Sequence, residues 1–248
     1  MLRNRLITVL TFNDGVLFRT KRFTPDYRYT ARFVDAWSID EIVMLDITRP
    51  GQGQRENFEA VVREFASRCF VPLSVGGGIR TLADARRLIG LGADKVVLNT
   101  ALAETPDLVG EIATQYGSQC VVTAMDVGRH PDGRYEVFTG FGRQPTGSDP
   151  ATWARRAEQL GAGEILVTSI EQDGALSGYD LTLCGEVAQA VRLPVLICGG
   201  AGKWQHFVDA YLKGGAAAVC TSNIYHFTET SILSAKAYLD HAGIPVRL

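Results

Sequence analysis

Two glycine-rich runs in this chain have the residue types and the setting that bind phosphate groups. Gly76–Gly78 follows one short apolar run, and Gly199–Gly200 follows another. Backbone amides in a glycine-rich turn at the start of a helix can approach an anion closely and hold it. Glycines at such places also serve simply as tight strand-to-helix turns, so the two runs alone leave both interpretations open.

The glycine runs belong to a larger internal repeat. One offset along the chain superposes Gly78 on Gly200, and it also superposes the small polar residues that end the next apolar runs. Those residues are Asn99 and Thr100 in the first copy, and Thr221 and Ser222 in the second. The repeat favours phosphate binding over simple turns and predicts two related sites, for a ligand with a phosphate at each end.

Carboxylates at the ends of apolar runs are candidates for general acid–base chemistry. Asp126 closes the run Val121–Met125, which favours proton transfer over the alternative role of anchoring a loop. For Asp46, loop anchoring is the favoured interpretation. Asp173 precedes Gly174 in a turn signature, so Asp173 is either a turn former or a ligand to substrate hydroxyls.

The elements that must position these groups alternate regularly. Short β-branched runs predict eight strands, over Leu6–Phe12, Glu41–Asp46, Val71–Val75, Lys95–Leu98, Cys120–Asp126, Glu164–Thr168, Pro194–Cys198 and Ala217–Thr221. Apolar residues at three-to-four spacing predict helices, among them Asn57–Phe65, Leu82–Leu91, Pro150–Leu160 and Trp204–Lys213. Residues 1–248 are therefore expected to form one α/β domain, a (β/α)8 TIM barrel with an internal two-fold repeat of half-barrels. An open doubly wound sheet is the alternative, but it would leave the repeat without a structural meaning.

Active sites of such barrels lie at the carboxyl ends of the strands. Polar residues or glycines end each predicted strand: Thr11, Asp46, Gly76–Gly78, Asn99, Asp126, Thr168, Gly199 and Thr221. At the opposite ends, two cations and two anions stand at strand starts: Arg5, Glu41, Lys95 and Glu164. Such charges at the bottom of a barrel most simply form a ring of ion pairs that plugs it.

Two segments are longer than a simple connection requires. Asn13–Tyr29 follows the first strand and Gly128–Ser148 follows the fifth, and both are predicted as loops that close over the barrel mouth. The stretch Lys21–Tyr29 is basic and aromatic. It either grips a ligand or packs its aromatic rings on the rim.

Composition argues against nucleic-acid binding, membrane association and metal binding. The formal net charge of −2 gives no basic field for nucleic acid or for an acidic membrane surface. No apolar run approaches the roughly 20 residues that span a bilayer, so a cytoplasmic protein is expected. The five cysteines and four histidines lack metal-ligand spacing, and neither a metal nor another cofactor is predicted.

The motifs stand in the order of one known family. They are Leu45–Thr48, Val75–Arg80, Gly92–Lys95, Gly117–Gln119, Gly163–Leu166, Gly199–Lys203, His226–Phe227 and Ile244–Leu248. From Arg5 to Leu248 the chain resembles the cyclase subunit of imidazole glycerol phosphate synthase. The resemblance implies a lyase of histidine biosynthesis that takes ammonia from a glutaminase docked at its amino-terminal face. The ammonia passes through the barrel to a bisphosphate ribonucleotide, giving imidazole glycerol phosphate and an aminoimidazole carboxamide ribotide.

The resemblance also implies roles for single residues. One phosphate site of the family matches Gly78, Asn99 and Thr100, and the other matches Gly174, Gly200, Thr221 and Ser222. The charged gate of the ammonia passage matches Arg5, Glu41, Lys95 and Glu164, and positions near the glutaminase and the passage match Asp94 and Gln119. Arg19 stands where the family has a lysine of a mobile active-site loop. Asp126 matches one of two catalytic aspartates.

The other catalytic aspartate of the family is replaced by Thr11. The internal repeat independently places Thr11 opposite Asp126. A threonine hydroxyl does not shuttle protons near neutral pH, and loss of a general acid or base costs on the order of 10²–10⁴ in rate. Asp14 lies too far along the chain to take its place without rearrangement, and its Asn-Asp-Gly setting predicts a turn.

Three functions follow from this pattern. The favoured one is a synthase subunit in which Asp126 and a loop residue suffice. The second is a paralogue that delivers ammonia to another acceptor, because family members without this aspartate resemble those paired with enzymes that amidate surface sugars. The third is a non-catalytic scaffold that activates its glutaminase, against which the two retained phosphate sites argue.

Overall fold

The computed structural model describes residues 4–29, 39–222 and 232–247. The motif residues His226, Phe227 and Leu248 lie outside the described residues.

Eight parallel strands close into a barrel. They are β1 (Arg5–Asn13), β4 (Glu41–Asp46), β5 (Leu73–Gly76), β6 (Lys95–Leu98), β7 (Val121–Arg129), β10 (Glu164–Ser169), β11 (Val195–Cys198) and β12 (Ala218–Thr221). The antiparallel additions are β2 (Val16–Lys21), β3 (Thr24–Arg28), β8 (Tyr135–Thr139) and β9 (Gln144–Pro145). Pairing of β10 with β7 closes the sheet, which confirms the predicted barrel and excludes an open sheet.

Helices follow the barrel strands along the chain. In the described parts of the chain they are α1 (Arg55–Arg68), α2 (Leu82–Gly90), α3 (Ala101–Glu104), α4 (Asp107–Tyr116), α5 (Pro150–Gln159), α6 (Leu181–Ala190), α7 (Trp204–Leu212) and α8 (Ile232–His241). Local sequence sets several of their starts. Thr81 and Asp84 form a reciprocal capping box at α2, and the carboxylate of Asp149 accepts from the amide of Thr152 at α5.

Side-chain alternation divides the core into two layers. The inner layer, here called the lumen cluster, consists of Ile7, Val9, Val43, Val97, Val122, Ala124, Leu166, Leu196, Ala218 and Cys220. Leu6 and Leu10 instead belong to the outer layer between the barrel and its helices. Because successive side chains of a strand point to opposite faces, Arg5 and Thr11 fall on the lumen side of β1, at its two ends.

The two segments expected to be loops instead extend the sheet. After β1, the chain turns at Asp14 and Gly15, which have φ of 49° and 73°. These values suit a two-residue hairpin turn, and they join β1 to β2 in antiparallel register. The hairpin β2–β3 and the pair β8–β9 therefore rise as ordered sheet from the carboxyl ends of β1 and β7.

A buried ion pair fastens α8 to the amino-terminal end of the barrel. Lys236 Nζ lies 2.8 Å from Asp40 Oδ1, and the two side chains are only 5% and 4% exposed. Asp40 Oδ2 accepts from the amide of Leu6 at 2.9 Å. The carboxylate thus joins the last described helix to the first strand.

Replacing Lys236 should destabilise the fold markedly. Lys236→Met leaves the Asp40 carboxylate buried without its counter-ion, and breaking such a pair costs roughly 3–5 kcal/mol. Lys213→Met is the matched control, because Lys213 pairs with Asp209 on the surface with its side chain 67% exposed. There the expected loss is at most about 1 kcal/mol. Urea unfolding of both variants tests this, and equal losses would contradict it.

Candidate active site

The first glycine run lies at the carboxyl end of β5, next to β6. Gly76 pairs with Val97, so Gly78 and Asn99 both lie just beyond neighbouring strand ends. Gly77 and Gly78 have φ of 110° and 64°. A Cβ on Gly77 would lie 2.4 Å from the Asp46 carbonyl oxygen, whereas Gly78 has no atom within 4 Å of that position. Gly77 therefore permits close packing, and Gly78 presents open backbone to the mouth.

The second glycine run lines a pocket. Its walls bring together six predicted residues: Asp173, Gly174, Gly199, Gly200, Thr221 and Ser222. Gly199 and Gly200 have φ of 90° and 107°, so the left-handed pair of the first run recurs here. A Cβ on Gly200 would lie 1.9 Å from the Gly178 carbonyl oxygen, a distance that only glycine tolerates. Sequence reasoning did not single out the thiols of Cys198 and Cys220, which also line this pocket.

Asp126 lies between the two glycine sites and is linked to the first. Asn99 Nδ2 donates to Asp126 Oδ2 at 2.8 Å. On the other side, Thr168 of β10 pairs in register with Asp126. Burial raises the pKa of Asp126 to about 7, with a further contribution from the charge of Asp173, against the lowering effect of Asn99. A carboxyl group with this pKa can both accept and donate a proton near neutral pH.

Thr11 is engaged by the hairpin. Its hydroxyl donates to the Phe18 carbonyl at 2.6 Å, across the β1–β2 pair. The proton of Thr11 therefore holds the hairpin strand β2 against the end of β1. A carboxylate in place of this hydroxyl would face the carbonyl oxygen without a proton between them.

Asp173 also binds the hairpin. Its Oδ1 accepts from the Thr20 hydroxyl at 3.0 Å and its Oδ2 accepts from the Phe23 amide at 2.9 Å. Burial raises the pKa of Asp173. The sequence left a turn role and a ligand role open for Asp173. The contact with Thr20 was not anticipated, because nothing local connects residues so far apart in the chain.

The carboxylates of Asp46 and Asp14 anchor loops by accepting hydrogen bonds. Asp46 Oδ1 accepts from the Thr48 amide at 2.9 Å, which agrees with the favoured anchoring role. Asp14 Oδ1 accepts from the Gln54 amide at 3.0 Å and from Asn57 Nδ2 at 2.7 Å. The hydrogen bonds from Gln54 and Asn57 lower the pKa of Asp14. Asp14 is thus committed to the start of α1.

Arg19 and Thr100 contact the antiparallel parts of the sheet and do not line the pocket around Gly200. Arg19 forms an ion pair with Asp26, and its guanidinium lies 5.7 Å from the centre of the Tyr27 ring. It therefore runs along the hairpin toward β3 and is not part of the pocket wall around Gly200. The hydroxyl of Thr100 accepts from the Gly140 amide at 3.5 Å, in the turn between β8 and β9.

The four charges at the amino-terminal end form a closed ring. Arg5 and Lys95 each contact both Glu41 and Glu164, at nitrogen–oxygen distances of 2.8 to 2.9 Å. Ser74 adds a hydrogen bond to Glu41 at 2.8 Å. The predicted ring of ion pairs is therefore present, directly below the lumen cluster.

Asp94 and Gln119 lie at the same end of the barrel as the ring. Asp94 accepts from the amide of Leu73 at 2.8 Å, and Gln119 donates to the Tyr116 carbonyl at 3.1 Å. Both side chains belong to exposed residues at the starts of β6 and β7.

Across the described residues, no group of three or more His, Cys, Asp or Glu side chains is arranged to hold a metal ion. Within the same ranges, no helix combines the length and apolar character that crossing a membrane requires.

The raised pKa of Asp126 predicts a pH-dependent stability. A carboxyl group whose pKa is higher in the folded state than in the unfolded state stabilises the fold below its unfolded pKa. That contribution is lost as pH rises through about 7. Asp126→Asn should therefore gain stability relative to the wild type between about pH 5 and pH 8, in urea unfolding at each pH. Asp132→Asn, on an exposed turn, is the control, and a parallel pH trend in both variants would contradict the assignment.

Comparison with known families adds to this geometry. A family model described as "Histidine biosynthesis protein" matches residues 8–231. The match spans both glycine sites, Asp126 and three of the four ring residues. The chain belongs to the histidine biosynthesis protein family.

Proposed function

We propose that this barrel is the cyclase subunit of an imidazole glycerol phosphate synthase, acting with ammonia on a ligand that carries two phosphates. One observation carries the proposal. Asp126, with a pKa of about 7, lies at the mouth between two glycine sites, each of which contains two consecutive glycines with positive φ. Membership of the histidine biosynthesis family supports the pathway.

The two glycine sites hold the ends of the ligand. Open backbone at Gly78 with the side chains of Asn99 and Thr100 binds one phosphate. The pocket around Gly200, with the hydroxyls of Thr221 and Ser222, binds the other. A ligand anchored at both ends has its middle over Asp126, which fixes the reacting carbon near a proton acceptor.

Asp126 moves the protons. Ammonia that bonds to carbon must lose a proton, and the ionised carboxylate of Asp126 accepts it. Once protonated, the same group returns the proton to a leaving oxygen or nitrogen. Asn99 donates to Oδ2 and so keeps the carboxyl plane in one orientation. Thr11 supplies no second carboxylate, so one group serves both steps.

The lumen cluster provides the ammonia route. Its side chains are aliphatic apart from the thiol of Cys220, and such a lining favours neutral ammonia over the ammonium ion. The ring of Arg5, Glu41, Lys95 and Glu164 stands at the entrance as a gate. Passage requires at least one of its ion pairs to separate.

A glutaminase docked at the amino-terminal face supplies the ammonia in this proposal. Asp94 and Gln119 lie on that face. Two large apolar side chains are exposed in the chain segments that lead into β5 and β12, Phe70 at 82% and Leu212 at 66%. Both residues precede strand starts, so they lie toward the amino-terminal end of the barrel, the end that carries the ring of charges.

A paralogue with another ammonia acceptor is the second candidate, and Thr11 is the observation that favours it. Its hydroxyl donates to the Phe18 carbonyl, so the contact between β1 and the hairpin depends on a residue without a carboxylate. A pure glutaminase scaffold is disfavoured, because both glycine sites and the pKa of Asp126 are retained.

The substrate assay separates these candidates. The bisphosphate ribonucleotide of histidine synthesis is followed in excess ammonium with the wild type and with Thr11→Asp. Turnover by the wild type is expected, and it would exclude the altered-acceptor function. Turnover by Thr11→Asp alone would instead indicate a paralogue whose site is disabled at one position. Turnover by neither protein would count against synthase activity.

Loss of the Asp126 carboxylate should abolish most of the activity. Asp126→Asn keeps the shape and the contact with Asn99 but does not accept a proton, so kcat should fall by about 10² or more. Below about pH 7, wild-type kcat/KM should decline as the carboxylate is protonated. Asp132→Asn serves as the control. A kcat in Asp126→Asn within a few-fold of the wild type would remove Asp126 from the mechanism.

A further inference from the structure

The tip of the hairpin β2–β3 is held against the second phosphate pocket. Three hydrogen bonds join it to Asp173: from the Thr20 hydroxyl, from the Phe23 amide and from the Arg22 amide to the Asp173 carbonyl at 3.2 Å. Arg22 and Phe23 have φ of 47° and 58°. Left-handed backbone is costly for such side chains, so the turn depends on what Asp173 provides.

The hairpin backbone lies directly on Gly174, which lines the pocket. A Cβ on Gly174 would lie 2.7 Å from the Thr20 carbonyl oxygen, 3.1 Å from Lys21 Cα and 3.2 Å from Lys21 Cβ. Because Gly174 has no side chain, the hairpin backbone can pack directly against it. The side chain of Lys21 therefore begins at the rim of the second phosphate pocket.

Lys21 and Arg19 differ in their surroundings. Arg19 is committed to Asp26 and stacks on Tyr27. Lys21 is exposed, and it forms no ion pair with any residue in the described parts of the chain. Of these two cations on β2, only Lys21 combines a position at the pocket with a charge that no described carboxylate neutralises.

We infer that Lys21, held in place by the contact between Thr20 and Asp173, is the cation that the hairpin brings to the second phosphate of the ligand. This assignment rests on the proposed binding of a bisphosphate. It differs from the expectation drawn from the family resemblance, which matched Arg19 to a lysine of the active-site loop. The ammonium group on its flexible four-carbon stem can swing over the pocket as a point charge for phosphate.

Asp173 does not oppose this role. Its two carboxylate oxygens already accept from Thr20 and Phe23, and burial raises its pKa. Both of its carboxylate oxygens are thus engaged by the hairpin. The phosphate lies in the pocket lined by Gly199, Gly200 and the hydroxyl-bearing residues Thr221 and Ser222, with Lys21 at its rim.

Calorimetric titration with the bisphosphate ribonucleotide of histidine synthesis as the probe, in the absence of ammonium so that no turnover occurs, tests the assignment on the full-length protein. Lys21→Met should weaken binding by about tenfold or more, the size of one charge-assisted contact to phosphate. Lys21→Arg should restore the affinity to within about threefold. Lys213→Met, which removes a remote surface cation, should bind like the wild type. The difference between Lys21→Met and the wild type should shrink as salt is raised.

Two further variants separate this inference from the proposed function. Ser222→Ala should weaken binding through the pocket itself. Thr20→Val should weaken it by releasing the hairpin, and adding Lys21→Met to Thr20→Val should cost little more. If Ser222→Ala loses affinity while Lys21→Met does not, the inference is wrong and the bisphosphate site stands. A loss in Arg19→Met with none in Lys21→Met would return the role to Arg19. Failure of the wild type to bind the probe would overturn both.

Discussion

Pairing between β7 and β10 is the constraint on which the rest of the structure depends. It closes the sheet, and in doing so it sets Asp126 beside Thr168 in register. Once the sheet is closed, every strand ends at the same rim. The two glycine runs, far apart in the chain, then face a common mouth with Asp126 between them. Without closure neither a two-ended ligand nor a central proton acceptor would have a site.

Closure of the barrel also places two kinds of charged site at opposite ends of the barrel axis. At the bottom, Arg5, Glu41, Lys95 and Glu164 satisfy one another in a ring, so four charges are held at the end of an apolar lumen. At the top, Asp126 has little compensation beyond Asn99, and its pKa rises. Paired charges are stable and unreactive, whereas an underpaired carboxyl group exchanges protons. The fold thus places four paired charges at one end and a carboxyl group with a raised pKa at the other.

The hairpin β2–β3 adds ordered sheet to the mouth of the barrel. Thr11, which the family resemblance matches to a catalytic position, and Asp173, for which the sequence left turn and ligand roles open, both hold hairpin residues, through Phe18 and Thr20. The family resemblance implies a carboxylate at this position, but the Thr11 hydroxyl donates a hydrogen bond that an ionised carboxylate does not donate. Of Thr11 and Asp126, which the internal repeat places opposite each other, only Asp126 carries a carboxyl group.

The sequence by itself determined the eight barrel strands, four of the helices, the two glycine runs at strand ends and the place of Asp126. These depend on apolar alternation, on turn chemistry and on strand ends, all of which are encoded within a few neighbouring residues. Only the tertiary structure decided that the segment after β1 is a hairpin that contacts Asp173, and that Arg19 pairs with Asp26. The reason is that each of these contacts joins side chains whose relative orientation is set by barrel closure and hairpin tilt, and no local pattern records that orientation.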